Sequence, residues 1–140
     1  MILKTKEEKI TYGILQEKKL RKKFKKYFDC LHLKKIKDQY HSFDFVGILK
    51  DEKTTVYIEL KSRTNTSTQY PTTMISYSKI VKGYQLLQKG ILVYLTFQFT
   101  DGCYFYQLEK KDSDKQQNTN YFNNVKYLYL KISDLTKINF

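Results

Sequence analysis

Two short apolar runs flanking a four-residue polar turn constrain this chain more than any other feature. Residues 43–49 read FDFVGIL, residues 55–61 read TVYIELK, and KDEK fills positions 50–53 between them. Both runs are rich in β-branched and aromatic residues, which suit a pleated, half-buried surface. A polar turn between two such runs predicts an antiparallel hairpin. With a four-residue loop, position 49 pairs with 54, and the same register sets 44 opposite 59. Residues so opposed have Cβ atoms about 4.5–5.5 Å apart. Both positions are acidic, Asp44 and Glu59.

An ionised carboxylate inside an apolar run costs free energy unless it is paired or bound to a metal. Strand side chains alternate, so Lys61 shares a face with Glu59. Three charged groups therefore converge on an otherwise apolar hairpin. Two carboxylates at that spacing repel each other unless a cation lies between them. Mg²⁺ is a hard ion that accepts one or two carboxylates together with waters and phosphate oxygens, and Mn²⁺ is an alternative. Lys61 beside it could orient or deprotonate an attacking water, or offset the charge of a phosphorane. The competing reading leaves Glu59 and Lys61 on a solvated face, with Asp44 near a strand end.

The segment before the hairpin reads as an amphipathic helix over residues 4–29. On a helical wheel centred on Ile10, Ile14, Phe24 and Phe28 fall within about 40° of it. Lys18, Lys19, Lys22, Lys23 and Lys26 take the opposite side and form a basic outer face. Glu17 falls about 20° from Ile10, inside the apolar stripe, where packing gives no reason for a Glu. Glu8 lies on the polar side and Glu7 at the border. Glu17 is thus the helix carboxylate expected to face the sheet.

Residues 31–37 read as a short strand and 62–71 as a polar loop. Residues 73–88 read as a helix, with a Thr or Ser cap at its start and Gly90 beyond its end. Residues 91–99 (ILVYLTFQF) form a strongly apolar strand, turned at Asp101-Gly102 into a further strand over 103–109. Residues 110–120 contain no apolar side chain, 124–130 make another strand, and Ser133 or Asp134 is a candidate cap for a short terminal helix. The order is helix, three strands, helix, strand, then appended β structure. That predicts an α/β domain with a mixed central sheet and a C-terminal β extension, spanning residues 1–140 as one domain.

The chain carries 26 Lys and Arg against 14 Asp and Glu, a net charge of +12. Such a chain is drawn to polyanions, of which nucleic acid is the commonest. A Lys-rich solubilising surface, or the codon bias of an AT-rich genome, would produce the same composition. Cys30 and Cys103 are far apart and lack a CxxC partner, so neither a disulfide framework nor a zinc site is expected. The reading is two partly buried thiols in a reducing compartment. No leader peptide or membrane span is expected, which points to a soluble, intracellular protein without a membrane partner.

An N-terminal helix with an inward Glu (YGILQEKKL), a strand bearing Asp (FDFVGIL), a strand ending in E-L-K (VYIELKSR), then a helix and an apolar strand resemble the PD-(D/E)XK nuclease superfamily. The likeness runs over residues 8–99 and looks most like the Holliday-junction-resolvase and phage or viral endonuclease branches. It implies a restriction-endonuclease-like αβββαβ core and metal-dependent phosphodiester hydrolysis. On this resemblance Asp44 and Glu59 bind the metal, Lys61 assists the water, and Glu17 is an auxiliary ligand. The Pro often found before the Asp is Phe43 here, a departure at a loose position.

Lys79 resembles the basic or polar residue that such nucleases aim at the site, and a solvated Lys fits its position equally well. Arg63 is a candidate phosphate contact, and Lys22 and Lys26 are candidates on the basic helix face. Tyr70 and Thr73 read as a loop anchor and a helix cap, His32 and His41 as structural or surface residues. Three functions compete: an active endonuclease on double-stranded or branched DNA, a catalytically silent nuclease-fold module or subunit, and a basic adaptor whose E-x-K is accidental. The adaptor leaves Asp44 and Glu17 in apolar settings unexplained. A nuclease of this size is expected to need a homodimer to cut two strands.

Overall fold

The computed structural model describes residues 5–38, 41–109 and 119–140. The side chain of Ile10 and the polar residues 110–118 fall outside the described part. Helix α1 (Lys6–Tyr27) starts at Thr5, whose side chain accepts the Glu8 N–H at 3.0 Å and so satisfies one otherwise unpartnered donor. It ends at Phe28, followed by Asp29 at φ 56°. Strands β1 (Cys30–Lys35), β2 (Phe45–Leu49) and β3 (Thr55–Ser62) follow. The β2–β3 register is the expected one: Ile48 pairs with Thr55 and Phe45 with Ile58. The Leu49 N–H bonds the Thr54 carbonyl, closing the loop at the predicted point.

The expected helix over 73–88 begins later. Its first residues form strand β4 (Thr72–Ser76), and helix α2 covers Tyr77–Gln88. Thr73 and Ile75 alternate into the core with the period of two that marks a strand. Thr73 is therefore a strand residue, and Ser76 precedes the helix without a side-chain cap bond. Strands β5 (Leu92–Phe99), β6 (Gly102–Gln107), β7 (Thr119–Phe122) and β8 (Val125–Lys131) complete most of the β structure. The expected terminal helix is a single 3-10 turn (Ile132–Asp134), and the chain then adds strand β9 (Thr136–Lys137).

Six strands form one mixed sheet in the order β1-β2-β3-β5-β6-β9, in which only β3 and β5 run parallel. A second, antiparallel sheet has the order β4-β8-β7. The C-terminal β extension thus divides between the two sheets. On one face of the main sheet, Leu20, Phe24 and Phe28 of α1 pack on Leu33, Phe45, Val56 and Ile58. Burying each such ring or branched chain contributes roughly 1.5–3 kcal/mol. On the other face, Val93, Leu95, Phe97 and Phe99 of β5 pack with Ile80 of α2 and with Ile75, Leu128 and Leu130 of the second sheet.

The buried stripe of α1 is set by Leu20, Phe24 and Phe28, not by Ile14, which is half exposed. The described buried positions of the helix lie in its C-terminal half, and Ile14 and Leu15 before them are exposed. Cys30 and Cys103 are free and buried in the α1 cluster, and burial pushes both thiols up, to about 11 and about 12. Such thiols are poor nucleophiles. Among the described residues no helix is long and apolar enough to cross a membrane.

Candidate active site

Chain alternation on β3 sends Val56 and Ile58 toward α1 and Tyr57 toward the α2 side. By the same alternation Glu59 and Lys61 turn toward α2. Glu59 is only 2% exposed, yet it carries a carboxyl group. Asp44 stands just before β2, where its backbone N–H still bonds the Ile58 carbonyl at 3.1 Å. Its Oδ2 accepts the Leu60 N–H at 2.8 Å, which sets its carboxyl beside that of Glu59, the residue before Leu60. The hairpin therefore brings Asp44 and Glu59 together.

Four cationic or acidic partners complete the cluster. Lys79 of α2 donates to Glu59 Oε2 at 2.6 Å, and Lys61 Nζ lies 4.0 Å from Glu59 Oε1. Lys79 is thus directed at the carboxylates rather than at solvent. Lys35, the last residue of β1, donates to Asp44 Oδ1 at 3.2 Å and pairs with Glu17 of α1. Glu17 lies one turn before Leu20 on the same helix face, and with Asp44, Leu60 and Ser62 it lines a cleft of about 320 Å³. It faces the sheet, as the helical wheel predicts.

The electrostatics follow from this packing. Burial, and then the negative charge of Asp44, push the Glu59 carboxyl up to about 7, against the pull of Lys79. Burial also opposes ionisation of Asp44, but the Leu60 N–H, the neighbouring Glu59 carboxyl and Lys35 outweigh it and hold Asp44 below its usual value. The pair thus separates into a low and a high carboxyl, Asp44 below and Glu59 above its usual value. Burial lowers Lys61, and neighbouring Lys79 lowers it further, against the pull of Glu59. Glu17 and Asp44 raise Lys35 in spite of burial.

Two adjoining carboxyls whose charges repel are a donor set suited to a hard divalent cation, which would relieve that repulsion. Glu17 does not join them directly. Among the described residues no three carboxylate, His or Cys side chains converge as a ready-made metal cage, and the Lys35 ammonium stands between Glu17 and Asp44. Sequence reasoning missed Lys35. A signal existed, since Lys35 shares the alternation of the buried Leu33 and so turns to the α1 side.

The remaining candidates scatter. Lys22 and Lys26 are exposed on α1, as expected of a basic outer face. Arg63 is turned inward: its Nε donates to Thr73 at 3.3 Å and its guanidinium to the Met74 carbonyl. It fastens β4 to the end of β3 and has fewer donors left for phosphate than a solvated Arg would. Tyr70 is exposed in the loop, where its hydroxyl accepts a bond from Gln69. His41 accepts the Phe43 N–H at 3.1 Å and stacks on Tyr57 with the rings 5° from parallel, a structural role. His32 lines a groove beside Arg21 and Lys34, away from the carboxylates.

Among solved structures, the fold is similar to that of Archaeoglobus fulgidus Hjc, a Holliday junction resolvase from an archaeal hyperthermophile. The match has a TM-score of 0.52 and 14% sequence identity, and covers 84% of this chain and 93% of that one. It shows a shared restriction-endonuclease-like fold with a mixed central sheet. A search of curated proteins finds no match. The model of the family described as "Phage putative PDDEXK endonuclease" matches residues 11–120, from the first helix through the carboxylate hairpin and beyond it. The chain belongs to this PD-(D/E)XK nuclease family.

Proposed function

We propose that the chain is a divalent-metal-dependent endonuclease that hydrolyses phosphodiester bonds in double-stranded or branched DNA. Asp44 and Glu59 would hold Mg²⁺, or Mn²⁺ in its place, with Glu17 as an auxiliary carboxylate across Lys35. When bound, the ion supplies positive charge to the phosphate oxygens and acidifies a coordinated water. Lys61, its ammonium lowered by burial, would orient the attacking water and exchange a proton with it. Lys79 keeps Glu59 pointed at Asp44 from the α2 side. Lys22 and Lys26 hold the nucleic-acid backbone through counterion release. Acting as a homodimer, two copies would each cut one strand.

The single observation that supports this reading is the half-buried Asp44 carboxyl set beside the buried Glu59 carboxyl, with Lys61 next to Glu59. A silent binding module would have no use for two neighbouring carboxyls on an apolar hairpin. The test is incubation of the purified protein with plasmid and with branched DNA, in Mg²⁺, in Mn²⁺ and in chelator. Cleavage with either ion and none in chelator is expected. Intact DNA and RNA in every ion, with an affinity that ignores the ion, would end the reading.

A further inference from the structure

Lys35 is the one cation in the site that bridges carboxylates from two different elements. Its ammonium pairs with Glu17 of α1 and lies 3.2 Å from Asp44 Oδ1 before β2. The stem passes over the Phe45 ring, with the nitrogen 5.6 Å from its centre. Glu17 and Lys35 both line the two recesses that flank this point, one of them the cleft that contains Asp44. Lys61 and Lys79 approach only Glu59, from the other side. Without Lys35, Glu17 and Asp44 would face each other across this gap with no positive charge between them.

We propose that Lys35 is a resident counter-cation which a divalent ion must dislodge from Asp44, so that this side chain sets the metal affinity of the site. The proposal rests on Asp44 and Glu59 being the metal-binding carboxylates. An ammonium at 3.2 Å competes for the same oxygen lone pairs as the ion and also repels it. It carries less charge than the ion and sits on a flexible stem, 44% exposed, so it has somewhere to go. Once Lys35 leaves, Glu17 is released to face the incoming ion, which reconciles its inward position with its present partner. Lys35 in turn becomes free for a phosphate.

Calorimetric titration of the full chain with Mn²⁺ alone, without nucleic acid, tests this. Lys35→Gln should bind Mn²⁺ at least about tenfold more tightly than wild type, as expected for removing a like charge within ion-pair distance. Lys34→Gln removes the same charge from the adjacent, outward position and should change affinity less than about twofold, since exposed charges are screened. Lys35→Arg keeps the charge and should bind no more tightly than wild type. It also guards against an effect of unfolding in the Gln variant. Equal affinity in wild type and Lys35→Gln, with Asp44→Asn unable to bind, would overturn the role of Lys35 alone. An equal gain in Lys34→Gln would overturn it too, by reducing it to net charge. If Asp44→Asn binds Mn²⁺ as wild type does, or if no variant binds, the metal reading fails and this proposal with it.

Discussion

The carboxyl groups of Asp44, just before β2, and Glu59, on β3, lie beside each other, and their pKa values are shifted in opposite directions. The four-residue loop between β2 and β3 enforces this placement. Once Ile48 pairs with Thr55, positions 44 and 59 have no other place to meet. A fold that needed only stability would place an apolar pair there.

Replacing Asp44 with Asn should reduce cleavage by at least about a hundredfold, the scale of losing one electrostatic group at a reacting centre. Affinity for DNA in chelator should be equal or higher, because a negative charge near phosphate is gone. Lys61→Ala should lose as much activity but bind slightly less well. Cleavage and filter-binding assays on the same preparations separate the two effects, and a parallel loss of binding in both variants would count against catalysis.

The Glu59 proton predicts a pH-dependent stability. Its folded value, about 7, lies above the usual 4.5, so the folded state holds the proton more tightly than the unfolded chain. The stabilisation is complete below about 4.5 and is lost as pH rises through about 7. Asp44, held low, acts in the opposite sense and at more acid pH. Metal-free protein should therefore melt lower at pH 8 than at pH 5.5, by roughly 5 °C or more. Mg²⁺ should restore most of that above pH 7 and little below it. Glu59→Gln should flatten the profile, and melting curves that are parallel in chelator and Mg²⁺ at every pH would contradict the prediction.

Gly47 should not tolerate a side chain. A Cβ there would stand 2.2 Å from the His32 backbone carbonyl, where β1 carries its register shift. Backbone cannot rotate away as a side-chain tip can, so Gly47→Ala should cost at least about 2 kcal/mol in denaturant unfolding. Gly13→Ala, with nothing within 4 Å, should be neutral or stabilising.

Affinity for nucleic acid should fall steeply with salt, and charge reversal at Lys22 and Lys26 should flatten that slope. Arg63→Ala should behave differently, because its donors serve Thr73 and Met74. Its expected effect is a lower melting temperature with a smaller change in salt slope. An Arg63 variant that folds normally and binds as poorly as the Lys22/Lys26 variant would restore Arg63 to the interface.

What could be read from residue order was whatever local spacing controls. The β2–β3 register followed from KDEK, and the inward direction of Glu17 followed from helical period, since Glu17, Leu20 and Phe24 share a face. What could not be read depends on pairing with distant chain. Thr72–Ser76 is a strand because β8 lies beside it, and Thr136–Lys137 is a strand because β6 offers an edge. Ile14 looked like core because periodicity does not say where a sheet ends beneath a helix. Lys35 was hidden for a similar reason: its alternation was legible, but its two partners come from α1 and from the residue before β2.

The second sheet gives residues 119–131 a hold on the cluster around Glu59. Strand β4 runs directly into α2, and Ser76, at the junction, pairs with Tyr127 of β8. Because no side chain caps α2, the helix takes its starting angle from that strand pairing, and Lys79 stands on its first turn. The β7–β8 hairpin therefore works as a splint for the arm that reaches Glu59. Loosening it, by mutation or by a molecule wedged beneath it, would misalign Lys79 without touching an acidic residue, and so offers a remote handle on the site.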